Sequence, residues 1–184
     1  MKKLKKVFFH FWFSLFGWKV TGRLPEEKKY VIVVAPHTSN WDFFVGLAAK
    51  HIIYLQSNFL AKNSLFKIPV IGWFLKSIGG HSVDRSKNTN LVDQVVDIFQ
   101  QQEDFKMTVT PEGTRSYNPN WKTGFWHIAK KANVPIQMIG FDYRRRVVEL
   151  KEVFYPSDDK ESDIEKMKAY FRTIKGRNPE NGVK

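Results

Sequence analysis

The stretch YVIVVAPHTSNWD, residues 30–42, decides how the chain is read. Its first half is a continuous apolar run rich in β-branched residues, the signature of a strand buried on both faces. Its second half turns polar at once. A strand that ends in a turn and gives way to a helix is half of an α/β unit. In such folds the residues just past the carboxyl ends of the strands are where ligands meet the protein.

The spacing inside the polar half has a physical reading. His37 and Asp42 are five residues apart, an offset that does not place two side chains on one face of a straight helix. His37 therefore belongs to the turn and Asp42 to the first helical turn. From there the carboxylate can fold back to one imidazole nitrogen, fix the tautomer and leave the other nitrogen free to take a proton. A plain structural reading is available for the same residues. Ser39-Asn40-Trp41-Asp42 is close to a capping box, with Ser39 as N-cap and Asp42 at the third helical position, where the helix dipole favours an acid. The two readings are compatible, because a cap can hold Asp42 where His37 needs it.

Working outward, the pattern predicts a helix from about 39 to 50 and a second strand over 51–56. A short helix opened by Pro69 ends at Gly79-Gly80, and a short strand over 81–83 leads into Asp84-Arg85. Apolar residues from Leu91 to Phe99 recur at helical spacing. A strand over 105–109 runs into the loop TPEGTRSYNPNW, dense in turn residues. Then follow a helix over 124–133, strands over 135–141 and 147–153, and a last amphipathic helix carrying Ile164, Met167, Phe171 and Ile174. Strands alternating with helices predict an α/β domain with a mixed, largely parallel sheet flanked by helices. There is no internal repeat or low-complexity linker, so residues 21–184 read as one domain behind an N-terminal segment over 1–20.

That segment, MKKLKKVFFHFWFSLFGW, sets four lysines before a run of Phe and Trp. The apolar part spans ~18 Å as a helix, against ~30 Å of bilayer hydrocarbon. It has the outline of a signal-peptide core, but no small-residue cleavage site follows. A helix lying in the membrane interface fits better, with lysines on anionic headgroups and aromatics at the acyl boundary. The competing reading is a terminal helix packed on the core. The net charge of +12 over 184 residues also calls for an anionic partner: lipid headgroups, phosphorylated ligands or nucleic acid. The absence of cysteine removes disulfides, thiolate metal sites and cysteine nucleophiles.

Three polar clusters follow strands: 37–42, Asp84-Arg85, and Glu112 to Arg115. Arginine suits bidentate phosphate binding, and Gly113 allows close backbone approach. Taken singly, Pro-Glu-Gly is also an ordinary turn, and Lys62 and Arg85 are also ordinary solvated residues. The five histidines have no metal-ligand spacing, and no phosphate-binding glycine loop or Gly-x-Ser-x-Gly elbow is present.

In this order the clusters resemble the glycerolipid acyltransferases, whose best-known members are the lysophosphatidic acid acyltransferases. His37-Thr38-Ser39-Asn40-Trp41-Asp42 is similar to the family's first block, His-x4-Asp. Gly80 to Arg85 is similar to the second, and Pro111-Glu112-Gly113-Thr114-Arg115-Ser116 is nearly a literal copy of the third. Val134-Pro135-Ile136 is similar to the fourth. Pro36 stands where the family commonly has Asn, and Thr110 where it commonly has Phe.

The resemblance implies acyl transfer from acyl-CoA or acyl-carrier protein to a lipid hydroxyl, without cofactor, metal or acyl-enzyme. It implies His37 as general base, Asp42 orienting it, and Arg85, Arg115 and Lys62 on the acceptor's phosphate. Glu112, Gly113 and Thr114 would shape that pocket, and Pro135 would sit toward the acyl donor. The acceptor it implies is 1-acyl-glycerol-3-phosphate or another lysolipid, a lyso-aminolipid included. The expected setting is peripheral or monotopic, on the cytoplasmic face of the cell membrane. Arg144-Arg145-Arg146 reads equally as a hairpin turn or a headgroup contact. The rival function is a basic nucleic-acid-binding module, which gives no account of HTSNWD or PEGTRS.

Overall fold

Residues 29–35 form the middle of a seven-stranded sheet because both of their faces are apolar. The computed structural model describes residues 2–83 and 91–184, and the side chains of all of these except 2–6, 61, 62 and 83. Strand β2 (Lys29–Ala35) pairs in parallel with β5 (Phe105–Val109) on one side and β6 (Ile136–Asp142) on the other. Its side chains alternate as a strand requires. Val31, Val33 and Ala35 enter one core, while Tyr30, Ile32 and Val34 enter the other.

The sheet order is β1-β7-β6-β2-β5-β3-β4, with β1 Lys19–Thr21, β3 Asn58–Lys62, β4 Gly80–Val83 and β7 Val147–Leu150. Among the strands just named, the β6–β7 pair alone is antiparallel. The predicted mixed, largely parallel α/β sheet flanked by helices is therefore the architecture of the chain.

Two crossovers step toward the β4 edge: β2 to β3 through α2 (Trp41–Ile52), and β3 to β4 through α3 (Asn63–Phe66) and α4 (Pro69–Ser77). Two step back: β4 to β5 across α5 (Leu91–Gln101), and β5 to β6 through α6 (Gly124–Ala132). Right-handed crossovers put α2 and α4 on one face and α5 and α6 on the other. The cores agree. Val45 and Ala48 of α2 pack with Phe13 of α1 (Lys2–Leu15), and Phe99 and Phe125 pack opposite with Phe171 of α7 (Lys160–Arg172).

Three details differ from the sequence reading. Residues 51–56 are not a strand. Helix α2 continues to Ile52, Leu55 N–H donates to Lys50 O at 2.9 Å, and Tyr54 turns the chain with φ +55°. Ile52 and Ile53 extend the buried stripe begun by Val45 and Ala49, so a helical face outweighs the strand-like run IIYL. The strand lies instead over 58–62. Asn40, not Ser39, is the N-cap of α2, and it makes no side-chain cap bond. The last strand ends at Leu150 rather than 153. Strand β1, three residues long, carried too little pattern to be read.

Candidate active site

Because β2, β5 and β6 run parallel, the chain leaves all three at the same end of the sheet, and three segments meet there. His37 follows β2, Glu112 follows β5 and Tyr143 follows β6. His37 Nδ1–H donates to Asp42 Oδ2 at 2.9 Å. The tautomer follows from the partner: a carboxylate only accepts, so Nδ1 carries the hydrogen and Nε2 presents its lone pair. No hydrogen-bond partner of Nε2 occurs among the described residues, and the His37 side chain keeps 26% of its exposure.

Asp42 is buried and densely held. Its Oδ2 also accepts the backbone N–H groups of Thr38 (2.9 Å) and Ser39 (3.0 Å), and its Oδ1 accepts the Tyr143 hydroxyl at 2.7 Å. The carboxylate thus closes the turn before α2 and orients the imidazole with the same oxygen. Ser39 Oγ accepts Trp41 N–H at 3.2 Å, a local turn rather than a cap. Burial, followed by the bond to Asp42, pushes the Tyr143 hydroxyl well above its ordinary value, so it stays a donor.

Glu112 is buried and reaches across from β5 to accept His37 N–H at Oε1, 3.2 Å away, while Oε2 has no partner among the described residues. It supports the histidine's backbone. Burial pushes its carboxyl above the ordinary value, against hydrogen bonds from its own N–H and that of His37. A raised folded-state pKa means that the native state binds more protons than the unfolded chain. Stability therefore falls as pH rises from the unfolded value through the folded one, and the cost is complete above both. Glu112→Gln removes that titration. The wild type should lose thermal stability relative to Glu112→Gln as pH rises from 4 to 8, read from melting curves of both proteins. A constant difference across that range would contradict it.

The other predicted residues are distributed unevenly. Gly113 adopts φ +65°, a conformation that favours glycine, and a Cβ there would push aside the end of the Lys122 side chain. Thr114 and Arg115 are exposed in the same loop, and Thr114 Oγ1 accepts Ser116 N–H at 3.3 Å. Lys62 is the last residue of β3, so its backbone reaches the site's end of the sheet; its side chain lies outside the described part. Arg85 lies outside the described residues.

Pro135 is at the opposite end. Its carbonyl accepts Val31 N–H at 2.9 Å near the start of β2, ~20 Å of extended chain from His37. Its fixed φ and missing N–H suit the residue just before a buried strand. Two of the three consecutive arginines are structural. Arg145 binds Asp142 (2.8 Å) and Glu149 (2.7 Å) around the β6–β7 turn, and Arg146 donates to Phe16 O at 3.0 Å.

Sequence reasoning missed Tyr143 and the C-terminal segment. Asn178 brackets Thr38, donating from N–H to Oγ1 (3.2 Å) and from Nδ2 to O (2.9 Å). Gly176 lies so close that a Cβ would sit 2.7 Å from Thr38 Oγ1. Arg177 stacks 4.9 Å from the centre of the Trp41 ring, placing a cation beside the site. None of these sits in a motif; only the fold brings residues 140 positions apart together.

A cavity of about 390 Å³ opens at His37 and Asp42. It runs between α2 and the sheet, lined by Ile32, Val34, Ile139 and Phe141 below and by α2 from Asn40 to Ile53, ~20 Å along the helix. Gly46 widens it: a Cβ there would meet the Phe141 ring at 3.2 Å. Lys50 lines its far end, bonded to Ser57 O (2.8 Å) and Ile78 O (3.1 Å), and burial lowers its pKa.

The histidine–carboxylate pair thus lies beside an apolar cavity, with one imidazole nitrogen free to exchange a proton next to it. A sequence profile of the family described as Acyltransferase matches residues 18–142, and the chain belongs to that family. It is 33% identical over 125 residues to the 1-acyl-sn-glycerol-3-phosphate acyltransferase of Saccharomyces cerevisiae, covering 64% of this chain and 40% of that protein. It is 32% identical over 131 residues to the enzyme of the same name from Escherichia coli, covering 66% and 52%. The chain thus spans about half the length of these curated relatives. Its fold matches the crystal structure of the 1-acyl-sn-glycerophosphate (LPA) acyltransferase PlsC from Thermotoga maritima, with a TM-score of 0.63, 21% identity, and coverage of 92% of this chain and 76% of that one.

Proposed function

We propose that the protein transfers an acyl chain from a thioester, acyl-CoA or acyl-carrier protein, to a hydroxyl of 1-acyl-glycerol-3-phosphate or a related lysolipid. The observation that carries this is the His37–Asp42 pair at the mouth of an apolar cavity long enough for a fatty acyl chain. The names of the yeast and Escherichia coli relatives support the acceptor.

In this reading His37 Nε2 takes the proton of the acceptor hydroxyl as its oxygen attacks the thioester carbon. The new C–O bond forms, the C–S bond breaks, and the leaving thiolate recovers the proton from the imidazolium. Asp42 stabilises that imidazolium, and Tyr143 and two backbone N–H groups hold Asp42 still. In this reading Arg115, Lys62 and Arg85 hold the acceptor phosphate, and Arg177 over the Trp41 ring adds a further cation. Helix α1 packs Phe13 into the core yet leaves Val7, Phe8, Phe11 and Leu15 exposed, which suits an interfacial helix that also belongs to the domain. No helix among the described residues is long and apolar enough to cross a membrane. Peripheral attachment to the cytoplasmic face of the cell membrane is the matching location.

Incubation with mixed lysolipids and a labelled acyl donor, read by mass spectrometry, should yield a doubly acylated phospholipid. No acylated product with either donor, together with salt-sensitive nucleic-acid binding, would favour the rival module. In the same assay Gly46→Leu should cut transfer of long acyl chains about tenfold while sparing short ones, because the added side chain fills the cavity at Phe141. Equal losses for all chain lengths would place the acyl chain elsewhere.

A further inference from the structure

The molecule is polarised across its sheet. Apart from Tyr117 and Tyr155, every large exposed apolar side chain among the described residues lies on α1 to α4 or in the turns that adjoin them. Helix α4 is the extreme case. Val70 is 77% exposed, Trp73 73% and Phe74 48%, and these three share one face at i, i+3 and i+4. The opposite face holds Gly72, buried so tightly that a Cβ would come within 2.4 Å of Phe66 O. The helix is thus seated on α3 by its glycine, with its apolar face turned outward. Burying that face against the domain is not its use.

Charge follows the same division. No Asp or Glu occurs in residues 1–25 or 43–83, which hold α1, most of α2, α3 and α4. Asp42, the one acid of α2, is buried. Exposed Lys67 precedes α4 and exposed Lys76 stands in its last turn. The opposite layer carries the exposed acids Asp97, Asp158, Glu161 and Glu165. An acid-free layer with protruding aromatics flanked by lysines complements an apolar boundary beneath anionic headgroups.

We propose that α4 is a second membrane-inserting element, independent of α1. With α1 and the first turn of α2 it would lay the whole α1–α4 layer on an anionic bilayer. Ile78, just after α4, accepts a hydrogen bond from Lys50 of α2, and both residues line the cavity, so α4 adjoins the cavity wall. The inference does not rest on acyl transfer, because lipid binding needs no turnover.

The test is cosedimentation of the full chain with phosphatidylcholine vesicles, with and without phosphatidylglycerol. Val70→Ser/Trp73→Ser should lower binding to anionic vesicles about tenfold or more with α1 intact and circular dichroism unchanged. Lys67→Gln/Lys76→Gln should lower it on anionic vesicles alone and flatten the salt dependence. Wild-type binding by the Val70/Trp73 variant would overturn the proposal. So would a wild-type dimer that this variant dissociates without losing vesicle binding, because the face would then pair two copies of the chain.

Discussion

Replacing His37 with alanine is expected to lower kcat by ~10²–10⁴-fold, the range set by loss of a positioned general base. The loss should fall on kcat, because the cavity that would bind the acyl chain is formed by Ile32, Val34, α2 and Phe141 and keeps its shape. It should not come from unfolding. Asp42 Oδ2 would still accept Thr38 and Ser39 N–H, Oδ1 would still accept Tyr143, and Glu112 Oε1 would still accept the backbone N–H of residue 37. One part-buried hydrogen bond goes, worth ~1 kcal/mol or somewhat more with a charged acceptor. Melting temperature and circular dichroism should therefore stay near wild type while turnover collapses. Wild-type-like turnover in this variant would remove His37 from the chemistry.

The parts of this site that the sequence made legible are those written in one segment. Residues 30–42 announce a buried strand, a turn and a helix, and the five-residue offset separates His37 from the helix that carries Asp42. The offset could not say that Asp42 would hold the turn before α2 and the histidine with one oxygen, since that depends on Thr38 and Ser39 N–H converging in three dimensions. Glu112 was legible as a site residue through PEGTRS. Its use was not, because reaching His37 N–H follows from β5 lying directly beside β2. Tyr143, Gly176 and Asn178 have no local signature; each acts by meeting a residue more than 100 positions away. Periodicity failed at 51–56 for a related reason. A short apolar run looks alike in a strand and in the last turn of a buried helix, and only the cores beneath decide.

Asp42→Asn probes the one feature that the cap and the catalytic readings share. The amide fits the pocket in a single orientation. Three donors converge on Oδ2, namely His37 Nδ1–H and the N–H groups of Thr38 and Ser39, so the asparagine oxygen must take that place. Its NH₂ then faces the Tyr143 hydroxyl, which can turn from donor to acceptor. Every hydrogen bond is kept and only the negative charge is lost. A purely structural Asp42 would tolerate this, costing ~1 kcal/mol of stability and little activity. An Asp42 that stabilises a developing imidazolium would not. The loss of a charge partner in a buried setting should lower kcat by at least ~10²-fold with KM nearly unchanged. The decisive comparison is within one variant: a retained melting temperature with lost kcat assigns Asp42 to the chemistry, whereas retained kcat at any melting temperature assigns it to the cap. Tyr143 enters the same argument, because its hydroxyl is the group whose reorientation lets the amide fit, and so lets charge be removed without disturbing the turn.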